Sequence, residues 1–269
     1  MSRGDVSRVY GPDIGAFGFG WKPLLPPVWM LNSEGLLARR ANKRIRFHEQ
    51  HPLCCFCGGG TASEEIDHLP SRACFDNRDY PDGFEFPSCR NCNISTKDDE
   101  QVVALFSRML ANPAAPAVPN EIRRYVAGVA NNNADVIAEI GRAITRLGEN
   151  HHVLEIGDAA HQAFTNVLTR WSKAFHYRET GVIVPADGRI HVQYFTNANA
   201  RYIPPEALEG RLHRLRRNGR NIGDQFAYVT RNDPNRPDLG YYTAAFRRSF
   251  LAIMLVDFHG EVIGQQQAD

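Results

Sequence analysis

Residues 64–72 read "EEIDHLPSR", which sets a carboxylate and an imidazole side by side at Asp67 and His68, just ahead of Leu69-Pro70. Alone, such a pair is the polar tip of a strand. Its flanks alter the reading, because "CCFCGG" (54–59) lies upstream and "CRNCN" (89–93) downstream. Cys54 and Cys57 form one C-x2-C pair and Cys89 and Cys92 a second, with 31 residues between Cys57 and Cys89. Two knuckles of this spacing can close on one tetrahedral Zn2+ through four thiolates, a site that contributes folding free energy rather than chemistry. A redox pair would account for one C-x-x-C motif but not for two. Cys55 would make too tight a bite to replace Cys54 and is read as a bystander, and Cys74 as a small buried apolar group. The stretch between the knuckles is longer than in a simple zinc ribbon, so it carries structure of its own. Zinc would then staple the strand bearing Asp67 and His68 to the start of the element bearing Asn93, one residue past the last cysteine.

The rest of the composition is that of an ordinary folded chain. With 269 residues, 43% hydrophobic and 23% charged, it is long enough to bury a core without disulfides and too apolar to be disordered. The formal charge of +1 gives no global attraction to polyanions. Of the 31 basic residues only Lys22, Lys43, Lys97 and Lys173 are lysine and the rest are arginine. Arginine grips phosphate through a bidentate fork, although a GC-rich genome produces the same bias. The opening residues lack the apolar core of a secretory signal, and the longest apolar runs, "PLLPPVWML" and "FLAIMLVDF", are too short to cross a bilayer. A cytoplasmic protein is expected, without membrane attachment, in a compartment where thiolates stay free for zinc.

Along the chain, residues 1–36 are rich in Gly and Pro and read as an extended arm. "EGLLARRANKRIRFHEQH" has helical character and a dense basic face, including Arg39, Arg40, Lys43, Arg44 and Arg46. After the knuckles, "KDDEQVVALFSRML" draws a helical stripe with acids at its start, where carboxylates complement the helix dipole. "ANPAAPAVPN" breaks the pattern, so a domain boundary is placed there, separating residues 37–112 from 113–269. Helices are expected over "EIRRYVAGVA", "ADVIAEIGRAITRLG" and 158–177. Two strands are expected around the turn at Asp187 and Gly188, and further strands at "QFAYVTR", "FLAIMLVDF" and "EVIG". The fold class is therefore α+β, with a small cysteine-bearing unit followed by a larger α+β domain.

The combination "CCFC…EIDHLPSRACF…FEFPSCRNCNISTKDDE" resembles the zinc-stapled branch of the HNH endonuclease family over about residues 51–100. "KAFHYRETG" (173–181) is similar to a segment that accompanies some such nucleases. The resemblance implies a ββα-metal core with a structural four-cysteine zinc site. It makes His68 the general base that activates water, and Asp67 and Asn93 the ligands of a catalytic Mg2+ or Mn2+. An imidazole is suited to take a proton near neutral pH, and a hard cation would hold the phosphate. The middle motif position is open among Asn77, Asp82 and Glu85. Asp98, Asp99 and Glu100 are helix N-terminal charges or, in one case, a carboxylate reaching the metal through water.

DNA is the expected partner, with RNA as the alternative. Arg39, Arg40, Lys43, Arg44, Lys97, Arg214 and Arg217 are candidate phosphate contacts. "RLHRLRRNGRN" (211–221) is the basic run of the second domain, and an exposed arginine-rich helix is its plain reading. That domain would position or regulate the nuclease, or bind a second copy or a regulatory protein. The competing reading of the whole chain is a catalytically silent zinc-ribbon module that binds nucleic acid or protein.

Overall fold

The computed structural model describes residues 41–109, 119–146, 152–154, 156–196, 199–247 and 249–262. Arg44–Asp269 make up one compact unit. The chain is helical over 41–50 (α1), within the basic segment where a helix is expected. Strands β1 (Glu65–His68) and β2 (Glu85–Ser88) pair antiparallel, with Asp67 opposite Phe86 and His68 opposite Glu85. Two helices come next, α2 (Arg90–Ser95) and α3 (Lys97–Met109), separated by the single turn residue Thr96. In α3, Asp98, Asp99 and Glu100 occupy the first turn and Arg108 the last, each sign at the end of the dipole that favours it. Val102, Val103, Leu105 and Phe106 are buried there.

Beyond them lie α4 (Pro119–Asn132), α5 (Ala134–Ala143), the strand pair β3 (Ile144–Arg146) and β4 (His152–Leu154), and the long helix α6 (Asp158–Thr180). The helix expected over 134–148 thus stops at Ala143, where the β-branched Ile144 and Thr145 favour a strand. Helix α6 ends at Gly181, whose φ of +73° allows its N–H to bond to Tyr177 O at 2.8 Å.

A five-stranded antiparallel sheet fills the C-terminal part in the order β5–β11–β10–β9–β6. Its strands are β5 (Arg189–Thr196), β6 (Arg211–Leu212), β9 (Phe226–Arg231), β10 (Leu239–Phe246) and β11 (Phe250–Asp257). Of the two strands expected around Asp187 and Gly188 only β5 forms, because Pro185 has no N–H to give to a ladder. Central strand β10 has no counterpart in the sequence reading. Glu261 and Val262 lie in a turn, and the remainder of "EVIG" falls outside the described residues. The run 211–221 is not a helix. It enters the sheet as β6 and then forms a small hairpin of β7 (Arg216–Arg217) and β8 (Arg220–Asn221), turning at Asn218 and Gly219 with φ of +48° and +81°.

Helix α6 holds the molecule together. Ala160, Ala163, Phe164, Val167, Leu168, Trp171, Ala174 and Phe175 are all buried at helical spacing and face the sheet. Trp171 packs 5.5 Å from Phe246, Phe164 lies 5.2 Å from Phe250, and Phe175 lies 4.7 Å from Tyr228. Phe75 and Phe84, from the loop between β1 and β2, enter the same core at 5.9 Å from Phe226 and from Phe175 respectively. The expected boundary at 112/113 lies outside the described residues, and the segments on either side of it share this core.

Candidate metal centre and active site

The ligand atoms of Cys54, Cys57, Cys89 and Cys92 all lie within 4.8 Å of one another, a cluster that could hold a zinc ion. Backbone geometry brings them together. The first knuckle is fixed by Cys54 N–H on Thr61 O (2.9 Å) and Phe56 N–H on Cys54 Sγ (3.4 Å). The second is the N-terminus of α2, where Cys89 Sγ accepts from Cys92 N–H at 3.5 Å. Gly58 turns the first knuckle at φ +74°, and a Cβ there would stand 2.7 Å from Ala186 N, so only glycine fits. Burial, and then the neighbouring Cys89 and Cys54, push the Cys92 thiol up, and a Zn2+ held here would reverse that by stabilising the thiolates. Cys55 lies outside the cluster and Cys74 is buried, its thiol pushed up to about 12 by burial.

A polar stripe of α6, on the side away from the sheet, docks against this unit. Asn166, Arg170, Lys173 and Tyr177 succeed one another at steps of four, three and four residues. Asn166 Nδ2 donates to Asp99 Oδ2 (2.9 Å), Lys173 Nζ to Phe56 O (2.8 Å), and Tyr177 Oη bonds to His51 Nδ1 (2.7 Å). Arg170 is 5% exposed. Its guanidinium lies 3.9 Å from the Phe56 ring centroid, bonds to Cys92 O, and forms an ion pair with Asp67 Oδ2, the Nε contact measuring 3.2 Å. Asp67 is 8% exposed, and its Oδ1 accepts from His68 N–H at 2.7 Å. Glu100 is close enough to feel this charge. Its carboxyl is pushed up to about 8, by burial first and by Asp67 second, and it accepts from Thr96 Oγ1 at 3.3 Å.

His68 faces a different set of groups, as its strand position next to Asp67 requires. Arg72 donates to its Nε2 and reaches Nδ1 at 3.3 Å, Glu85 Oε1 stands 3.8 Å from Nε2, and the Tyr80 ring meets it edge-on at 4.6 Å. Tyr80 Oη donates to Glu85 Oε1 at 2.9 Å. Of the three candidates for the middle motif position, Glu85 is the one beside His68. Asp82 is instead paired with Arg217 at 3.0 Å, and Asn77 sits in a 3-10 turn at φ +54°. Asn93 is a half-buried residue of α2, which packs on β1.

A catalytic Mg2+ or Mn2+ on Asp67 and Asn93 does not fit the side chains as they stand. The Asp67 carboxylate is buried and already neutralised by Arg170 on one oxygen, with a backbone N–H on the other. The four-cysteine cluster is the only group of three or more His, Cys, Asp or Glu ligands among the described residues. Among the basic candidates, Arg39 and Arg40 lie outside the described residues. Lys43, Lys97 and Arg214 are exposed. Arg44 is engaged by Glu64 O (2.6 Å) and Glu65 (3.3 Å). Sequence reasoning missed Arg170, Arg72 and Tyr80 as neighbours of the pair, while of the three carboxylates it named at the start of α3 Glu100 is the one that senses Asp67.

No family model, curated protein or solved structure matches this chain, so the functional reading rests on its own residues. No helix among the described residues is long and apolar enough to cross a membrane.

Proposed function

We propose that this chain hydrolyses phosphodiester bonds in DNA as an HNH-type endonuclease, with a structural Zn2+ on Cys54, Cys57, Cys89 and Cys92 and with His68 as general base. One observation carries the reading: a two-stranded antiparallel pair ends in Asp67 and His68, runs directly into the helix bearing Asn93, and has four cysteine sulfurs gathered at its root. In this reading a backbone phosphate draws the Arg72 guanidinium off His68 Nε2 and onto its own oxygens. The freed nitrogen takes a proton from water, the water oxygen bonds to phosphorus, and the P–O3′ bond breaks, the leaving oxygen gaining a proton from solvent. Arg72 stabilises the charge that develops on the phosphoryl oxygens, and Glu85 pairs with the imidazolium as it forms. Asp67, held by Arg170, orients the end of β1. No step passes through a divalent cation.

A plasmid-nicking assay comparing the parent with His68→Ala tests this. Loss of nicking by about 10²-fold or more is expected for removal of a general base. Nicking that persists undiminished in the variant overturns the assignment. The silent zinc-ribbon module is favoured by one observation, the neutralised and buried Asp67. A parent that binds DNA and never nicks it supports that module instead.

A further inference from the structure

The hairpin β7–β8 is clamped to the loop between β1 and β2, and the arginines that do the clamping differ from those left over. Arg217 pairs with Asp82 at 3.0 Å and lies 4.1 Å from the Tyr80 ring centroid. Arg220 pairs with Asp79 at 2.6 Å, Asn218 N–H donates to Asp82 Oδ2 at 2.9 Å, and Asp82 N–H donates to Arg216 O at 2.8 Å. The side chains of Arg211, Arg214 and Arg216 take no part in this, and no ion pair engages them among the described residues. All three are exposed and line a cavity of about 540 Å3 together with Arg178, His213 and Asp82.

The cavity is structured on its inner side. Arg178 is held over the Phe84 ring at 4.2 Å and against Glu179 at 3.1 Å. His213 bonds to Thr230 Oγ1 at 3.0 Å, and its backbone N–H is tied to Tyr228 O at 2.9 Å. The lining carboxylate, Asp82, is already matched by Arg217, and nearby Glu179 by Arg178. The three remaining guanidinium groups therefore line the cavity without a carboxylate partner among the described residues, and their charge and forked donors suit phosphate oxygens. Its position matters as much as its charge. Tyr80 touches His68 on one side and is covered by Arg217 and by Arg72, at 4.9 Å, on others, so the cavity and the imidazole share one loop.

We propose that this cavity holds the backbone phosphate of a DNA strand next to the one presented to His68, so that Arg211, Arg214 and Arg216 set the path of the strand across the loop 79–82. The proposal rests on the phosphodiesterase reading for the strand's direction but not for its binding. It is therefore tested by binding, in full-length chain carrying His68→Ala so that no strand is cut. Fluorescence anisotropy of a labelled single-stranded DNA oligonucleotide, at several salt concentrations, is compared with and without Arg214→Gln and Arg216→Gln. Affinity is expected to fall about tenfold or more, and the slope of log K against log salt to become shallower by about 1.4, for two lost phosphate contacts on a single strand. Unchanged affinity and slope overturn the proposal. So does a site for free anions, seen as inorganic phosphate stabilising the parent more than the double variant while oligonucleotide affinity is equal. If the double variant does not fold, Arg211→Gln alone is read the same way. A parent that fails to nick plasmid while this affinity difference persists removes the nuclease reading and keeps the pocket; nicking with no affinity difference does the reverse.

Discussion

Through its contacts with the Asp67 carboxylate, the Cys92 carbonyl and the Phe56 ring, Arg170 ties β1 to both knuckles. An ion pair this deeply buried is not in itself strong evidence of stabilisation, because desolvation offsets much of the attraction. Removing one partner is another matter, since it strands the other charge. Arg170→Ala is expected to cost about 3–5 kcal/mol of stability, read from urea unfolding. The vacated carboxylate should then accept a cation, so Mn2+ should raise the melting temperature of the variant while leaving the zinc-loaded parent unmoved. A parent that gains as much from Mn2+ as the variant would show that Arg170 does not block Asp67. None of this could be read from the sequence. Asp67 and His68 announced themselves through their neighbours in the chain, whereas Arg170 lies 103 positions from Asp67 and reaches it only through the tertiary fold.

At the scale of elements, the knuckles and α6 were legible because each is set by a local pattern, cysteine spacing in one case and an apolar stripe in the other. Strand β10 was not. Its sequence, "LGYYTAAF", has Gly and Ala where a strand usually shows β-branched residues, and it is buried on parts of both faces between β9 and β11. Tertiary pairing decides it, not propensity. The hairpin at 211–221 was read as a charged helix because arginine is a good helix former, yet Asn218-Gly219 is the signal of a tight turn. For the knuckles the expectation is direct. Chelating zinc, or changing Cys89→Ser, should melt the 54–93 region cooperatively, seen as loss of amide-exchange protection there ahead of the sheet. If protection is unchanged, the four cysteines are not holding a structural ion.

For the molecule as a whole, the buried histidines weaken the fold in acid. His176 is buried on α6, bonded to Tyr242 Oη at 2.9 Å and to Pro237 O at 2.9 Å, and burial lowers its pKa to about 4. His48, His51 and His213 are lowered as well, with burial the first cause in each. A histidine depressed in the folded state binds its proton more readily when unfolded. Stability that is complete above about pH 6.5 is therefore lost as the pH falls toward 4. Glu100, whose carboxyl is pushed up to about 8, contributes in the opposite sense over the same range, so the histidine share is read as a difference: between about pH 7 and 4.5 the parent is expected to lose more melting temperature, or gain less, than His176→Asn. Identical profiles would mean that this imidazole is not confined as described.

Helix α6 shows two working faces to two different neighbours, Phe164, Trp171 and Phe175 toward the sheet, and Asn166, Arg170, Lys173 and Tyr177 toward the knuckles. Both faces keep their phase only while the residue count between them is kept, because each added residue rotates the downstream part of a helix by about 100°. One extra amino acid near Ser172 would swing Lys173 and Tyr177 out of line with Arg170 while the upstream half stayed seated. The helix thus acts as a keyed shaft, tolerant of many exchanges of side chain but of no change in length.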